Sequence, residues 1–152
     1  MTVYLSASLS KHRKLLPLVG DIGQMIEEFG HTVTSKHVLK KETTSGEWED
    51  RYEPKALFER EMRRLANSDV LITEATTPSY GGGFMIEMAI MMGKPLLTLH
   101  YGTNEKDAPL MLRGHREINL HIYNETTIKT ILKRFLDDSQ KNIADPLPDF
   151  DQ

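Results

Sequence analysis

The chain has 152 residues, 39% apolar and 27% charged, with 22 acids against 19 lysines and arginines for a net charge of −3. That length suits one domain with a sizeable core, and the slight acidity argues against a nucleic-acid polymer as partner, which would need clustered Lys and Arg. Cysteine is absent, which excludes disulfides, zinc–thiolate sites and cysteine nucleophiles. The N-terminus has no secretory pattern and no apolar run approaches the ~20 residues of a membrane span, so a cytoplasmic protein without membrane attachment is expected.

Val3, Tyr4 and Leu5 open a first strand that ends in the small polar run "SASLS". From Leu15 the apolar positions recur at Val19, Ile22, Met25, Ile26 and Phe29, a helical stripe closed by Gly30. "HTVTSKHV" reads as a second strand, and residues 40 to 53 as a mobile loop without period. Pro54 starts a helix with Leu57, Phe58, Glu61 and Leu65 along one face. "DVLITEA" is a continuous apolar strand of the kind buried in parallel sheets. A glycine loop, "TTPSYGGG", and the apolar helix "FMIEMAIMM" follow. "KPLLTLHYG" and "REINLHIYNE" supply strands four and five, and an Asn or Thr cap opens a last helix. Residues 1–136 thus form the domain, and the Asp- and Pro-containing stretch 137–152 reads as a flexible tail.

Strands alternating with helices imply a single-domain, doubly wound α/β fold, flavodoxin-like or Rossmann-like. Ligands of such sheets sit beyond the carboxyl ends of the strands, where two loops fall. The first offers Ser8, Ser10, Lys11, His12 and Arg13 before a helix N-terminus, either an anion site or simply a capped, solvated first turn. The second offers Ser79 with Gly81, Gly82 and Gly83, either a close-approach cradle or a flexible turn. It matches neither the phosphate-loop pattern nor the spaced dinucleotide fingerprint. Glu61 interrupts the buried stripe of its helix: a desolvated acid–base or sugar-binding group, or a partner of Arg60, Arg64 or Lys55. Glu87 lies in a helix apolar all round and is expected to be buried, hence paired, neutral or functional. Met85, Met88, Met91 and Met92 line that helix as core filler or as a soft wall for a nucleobase.

The pieces "VYLSAS", "SKHV", "FEREMRRLANSDVLITEATTPSYGGGF" and "APLMLRG", in that order, resemble the nucleoside 2-deoxyribosyltransferase superfamily, most nearly its 2'-deoxynucleoside 5'-monophosphate N-glycosidases. The resemblance spans roughly residues 3 to 136. It implies a five-stranded parallel sheet, a homodimer, a small-molecule nucleoside or nucleotide substrate, and N-glycosidic cleavage or deoxyribosyl transfer without metal or cofactor. By position it implies that Tyr4 shapes the sugar and base pocket, Ser8 and its loop hold the 5'-phosphate, and Ser79 and Gly81 contact that phosphate. His37 would stand near the base, Glu61 where the family has an aspartate, and Met111 and Arg113 in a segment reaching the partner's site. The family's nucleophilic glutamate falls on Met85, and Glu87 comes two residues later, about 200° further round a helix. The expected activity therefore has an alternative, a catalytically altered or inactive nucleotide-binding homologue. A cytokinin-type nucleotide phosphoribohydrolase is a more distant likeness.

Overall fold

The computed structural model describes residues 1–9, 15–40 and 51–144. Its elements run β1 (Thr2–Ala7), α1 (Leu16–Glu28), β2 (Thr32–Val33), a 3-10 turn (Lys36–Leu39), α2 (Pro54–Ala66), β3 (Val70–Glu74), α3 (Tyr80–Met91), β4 (Leu96–Tyr101), a second 3-10 turn (Glu105–Asp107), α4 (Leu110–Gly114), β5 (Leu120–Tyr123) and α5 (Ile128–Ala144). The strands form one sheet in the order β2-β1-β3-β4-β5, every neighbouring pair parallel. Parallel neighbours need crossovers, and here helices supply them on both faces.

The alternation within each strand divides the core. Val3 and Leu5, Val70 and Ile72, and Leu97 and Leu99 face a cluster with Val19, Ile22 and Ile26 of α1 and Leu132 and Leu136 of α5. Tyr4, Leu71 and Leu96 face the other way, onto Leu65 of α2 and Met85, Ile86 and Ala89 of α3. The order of winding reverses between β1 and β3, so their carboxyl ends flank the crevice where such folds place ligands.

Four elements depart from the sequence expectation. The second strand keeps only Thr32 and Val33, and His37 lies on the following 3-10 turn. Ser35 explains the early exit: its buried Oγ accepts from the Leu5 amide (2.8 Å) and donates to the Leu5 carbonyl (2.6 Å), so a side chain replaces the next ladder position. The three glycines are not a loop but lie in the first turns of α3, which begins at Tyr80. The last helix runs past Leu136 to Ala144, supported by a Lys133–Asp137 ion pair (2.8 Å) and a buried Ser139, which overturns the expected start of a tail at residue 137. Its N-terminus is held as expected by Asn124, whose Oδ1 accepts from the Thr126 and Thr127 amides. Most of the expected loop from 40 to 53, and the tail beyond Ala144, lie outside the described residues.

The entrances of β1 and β3 are joined by Asp69, whose carboxylate accepts from the Thr2 amide (2.6 Å) and hydroxyl (3.0 Å). The amide bond above all holds the Asp69 carboxyl below the usual carboxylate range. A depressed folded-state value means stability that is present above the ordinary carboxylate pKa and lost as pH falls through the folded value. Asp69→Asn should therefore lower Tm at pH 7, with the deficit closing as both proteins are melted at successively lower pH down to about 3.

Candidate active site

A cavity of about 580 Å3 opens at the carboxyl ends of β1 and β3. Its floor comes from β1 and the residues after it, Tyr4, Ser6, Ala7, Ser8 and Leu9. One wall is α2 with the segment before it, contributing Tyr52, Pro54, Leu57, Phe58, Glu61 and Met62. The opposite wall is the N-terminal part of α3, Pro78 to Gly82 with Phe84 and Met85, and His37 and Val38 close one end.

Glu61 is the carboxylate in this lining, and it is 9% exposed. Its Oε1 accepts from Arg60 Nε and Arg64 Nη1, each at 2.9 Å. Its Oε2 accepts a 2.6 Å bond from the Tyr4 phenol, and His37 Nε2 lies 3.8 Å away. Arg64 Nη1 also sits 3.3 Å from His37 Nδ1. Burial and the adjacent Glu61 charge push the Tyr4 phenol far up, so it remains a donor at any physiological pH. Arg60 in turn stacks its guanidinium 4.3 Å above the Tyr52 ring. Glu61 is thus paired with Arg60 and Arg64, as one reading expects, and it also lines the cavity, while Lys55 reaches Glu59 instead.

Ser79 caps α3 by accepting from the Gly82 amide (3.0 Å). Gly81 and Gly82 line the cavity and Gly83 does not. None of the three has a positive φ, so their value is space and not backbone freedom. A Cβ at Gly81 would meet nothing within 4 Å, so the helix leaves open space on the cavity side there. The apolar wall is made by Leu57, Met62, Met85 and the Phe58–Phe84 pair, whose rings are 5.9 Å apart and tilted by 57°.

Helix α3 is not buried all round. Met85, Ile86 and Ala89 face the sheet, whereas Phe84, Met91 and Met92 are exposed. Glu87 falls on the outer face, its side chain 58% exposed and 3.9 Å from His115 Nε2, and it does not line the cavity. The expectation of a buried Glu87 is therefore corrected: the sheet-facing positions i, i+1 and i+4 exclude i+2. Met85, 7% exposed, occupies the cavity wall in its stead. Tyr4, Ser8, His37, Ser79 and Gly81 come together as cavity lining. Met111 and Arg113 do not: Met111 points to solvent and Arg113 Nε donates to the Ala108 carbonyl (3.1 Å). Ser10 and Lys11 to Arg13 lie outside the described residues. Sequence reasoning missed Ser6 and Tyr52. Strand alternation from Tyr4 would have found Ser6; nothing in the local pattern marks Tyr52.

Among the described residues no three His, Asp or Glu side chains converge as a metal site would require, and no helix is long and apolar enough to cross a membrane. Tyr4→Phe leaves a buried carboxylate oxygen without its short donor, and urea titration should show a loss of about 1.5–3 kcal/mol, the range for hydrogen bonds to charged groups.

No family model matches the sequence. A protein of Thermofilum pendens named 2'-deoxynucleoside 5'-phosphate N-hydrolase 1 is 35% identical over 114 residues, covering 75% of this chain and 78% of its own. The 5-hydroxymethyl-dUMP N-hydrolase of Danio rerio is 28% identical over 145 residues, covering 93% and 100%. Among solved structures, a CMP N-glycosidase of Clostridium botulinum superposes with a TM-score of 0.56 at 22% identity, over 90% of this chain and 99% of that one. A 2-deoxyribosyltransferase of Bacillus psychrosaccharolyticus gives the same TM-score at 17% identity, over 84% and 96%. The two structures speak for the fold; the Thermofilum relative carries the family. The chain belongs to the family of the 2'-deoxynucleoside 5'-phosphate N-hydrolases.

Proposed function

We propose that the protein hydrolyses the N-glycosidic bond of a nucleoside 5'-monophosphate, with water as the attacking group. The observation that carries this reading is the pairing of a retained cavity carboxylate, Glu61, with an apolar Met85 where the family's nucleophile would stand. A thioether cannot form and release a glycosyl ester, so position 85 supplies no nucleophile for a covalent intermediate. Direct displacement does: water oxygen bonds to the anomeric carbon as the carbon–nitrogen bond breaks, the base nitrogen keeps that electron pair, and the water's proton ends on the departing base.

In this reading the open amides of the first turn of α3, with Ser79 and Ser8, take the phosphate. The Phe58, Phe84, Leu57 and Met62 wall takes the base, with His37 near it. Tyr4 and Glu61 take the sugar. Glu61 Oε1 is committed to two arginines, so it is Oε2, with the lone pair that Tyr4 does not use, that would orient water and steady an oxocarbenium-like carbon. The exposed strip of Tyr80, Phe84, Met91, Met92, Leu110 and Met111 fits a homodimer contact, and Arg113 lies on the segment that would reach the partner's site. A cytoplasmic location is the natural setting for such a substrate.

Incubation with a panel of deoxyribo- and ribonucleoside monophosphates should release free base detectable by chromatography, and Glu61→Gln should cut kcat by about 10²–10⁴, the usual contribution of a positioned acid–base group. Release by wild type with no effect of Glu61→Gln would remove Glu61 from the chemistry.

Met85 also favours a second reading, a nucleotide-binding homologue without turnover. It expects saturable binding of a monophosphate by calorimetry, no free base, and hydrolysis gained on Met85→Glu. Under either reading Gly81→Ala, which puts a methyl into the cavity, should weaken monophosphate binding about tenfold, roughly 1.4 kcal/mol. Gly83→Ala, away from the lining, should raise stability by about 0.5–1 kcal/mol through removal of a helical glycine.

A further inference from the structure

Behind the cavity floor the sheet carries a row of polar side chains on the face that packs against α2 and α3. Tyr4 and Ser6 of β1, Leu71 and Thr73 of β3, and Leu96 and Thr98 of β4 all point to this side, since their strand neighbours fill the opposite core cluster. Ser6 stands in register with Thr73, and Thr73 with Thr98. His100 follows Thr98 two residues along β4, on the same face and about 6.6 Å further on at 3.3 Å per residue.

These positions are deeply buried: Thr73 is 1% exposed, Thr98 0% and His100 7%. Yet Thr73 Oγ1, Thr98 Oγ1 and His100 Nδ1 make no hydrogen bond among the described residues. A single unsatisfied buried polar atom is uncommon in a native fold, and three side by side call for a common partner. None of the three satisfies another, although the strands that carry them stand about 4.8 Å apart. That spacing suits a water bridging Ser6 to Thr73 and another bridging Thr73 to Thr98, each at roughly 2.7–2.8 Å from the hydroxyls, with the longer step to His100 left to a further water. The row is also not sealed. Its first member, Ser6, lines the cavity between Tyr4 and Ser8.

We propose that Ser6, Thr73, Thr98 and His100 line an internal water file that opens on the cavity at Ser6 and supplies the water that attacks the anomeric carbon. The supply role rests on the hydrolytic reading above; the file itself does not. Where Met85 replaces a carboxylate nucleophile, the reaction consumes one water per turnover on the face that α3 covers, and bulk solvent is displaced from the cavity by the substrate. A file held by strand hydroxyls refills that position from behind. His100 ends it with an imidazole nitrogen that can accept from or donate to the last water, and the rigid strands fix the spacing.

Three measurements test this. A high-resolution crystal structure of the full chain should show ordered waters within hydrogen-bond distance of Thr73 Oγ1, Thr98 Oγ1 and His100 Nδ1; a dry layer with the hydroxyls turned onto strand carbonyls would overturn the file. Thr98→Val, which conserves shape, should lower Tm by about 2–4 °C if the hydroxyl is water-bonded. A rise in Tm would mean a dry hydroxyl and would also overturn it. For the supply role, Thr73→Val/Thr98→Val should lower kcat for base release severalfold with KM unchanged; unchanged kcat in a protein with proven internal waters would sink the supply role. Ordered waters in a protein that releases base from no nucleotide would instead sink hydrolysis and leave the file as a hydration site.

Discussion

The Glu61 carboxylate is the constraint around which the site is built. Removing a charge from water costs several kcal/mol unless donors replace the lost hydration. Here the replacement comes from three side chains on two elements: Tyr4 of β1, and Arg60 and Arg64 of α2. The Tyr4 bond therefore ties α2 to the first strand, and with it one wall of the cavity, while the two arginine bonds lie within α2 and hold the carboxylate in place. A buried ion cluster of this kind is seldom more stable than a well-packed apolar alternative, so stability alone does not account for it. The Tyr4 phenol makes the same point, since Phe would pack there without needing a partner.

From that fixed wall the rest follows by geometry. The parallel sheet brings the ends of β1 and β3 to one edge, and the switch in winding leaves a crevice between α2 and α3. Helix α3 enters that crevice with Gly81 and Gly82, the first leaving open space in its first turn and the second letting the Ser79 hydroxyl approach closely. Once the helix begins at Tyr80, its angular arithmetic puts Met85 inward and Glu87 outward. No rotamer of Glu87 reaches across the helix. The charge balance follows too: the carboxylate that lines the cavity is matched by two guanidiniums of its own helix, so the site is not net negative towards the phosphate of the proposed substrate.

What the chain discloses by itself divides along physical lines. The α/β order, the five strands and the helices over 16–28 and 54–66 follow from periodicity and from Pro and Gly punctuation, which are local signals. The second strand does not, because its end is decided by Ser35 bonding to the backbone of Leu5, a contact across 30 positions. The glycines read as a loop because glycine is a poor helix former; a helix that stacks Met85, Ile86 and Ala89 onto the sheet overrides that preference. Glu87 looked buried because hydrophobicity all round hides which face meets the sheet, and an exposed apolar face is indistinguishable in sequence from a core one. The pairing of Glu61 was legible as an alternative, since Arg60 and Arg64 lie one and three residues away. That it could be paired and still face the cavity was not, because the cavity is made by elements far apart in sequence.

The two readings of the protein turn on one comparison. If the cavity had only to bind, a methionine at position 85 would be an unremarkable part of an apolar wall, and the adjoining strand positions would gain stability from being apolar as well. They are not apolar. Ser6, Thr73, Thr98 and His100 place four polar side chains in the layer between the sheet and α2 and α3. Each buried hydroxyl costs about 1–3 kcal/mol when unpartnered, and a Val or Ala would fit the same strand geometry. A stretch of sheet that gives up apolar packing beside the place where a nucleophile is missing is better explained by water used there than by binding alone. Under the proposed hydrolysis, Met85 and the polarity of the strands behind it are two parts of one arrangement, in which the attacking oxygen belongs to the solvent instead of the protein.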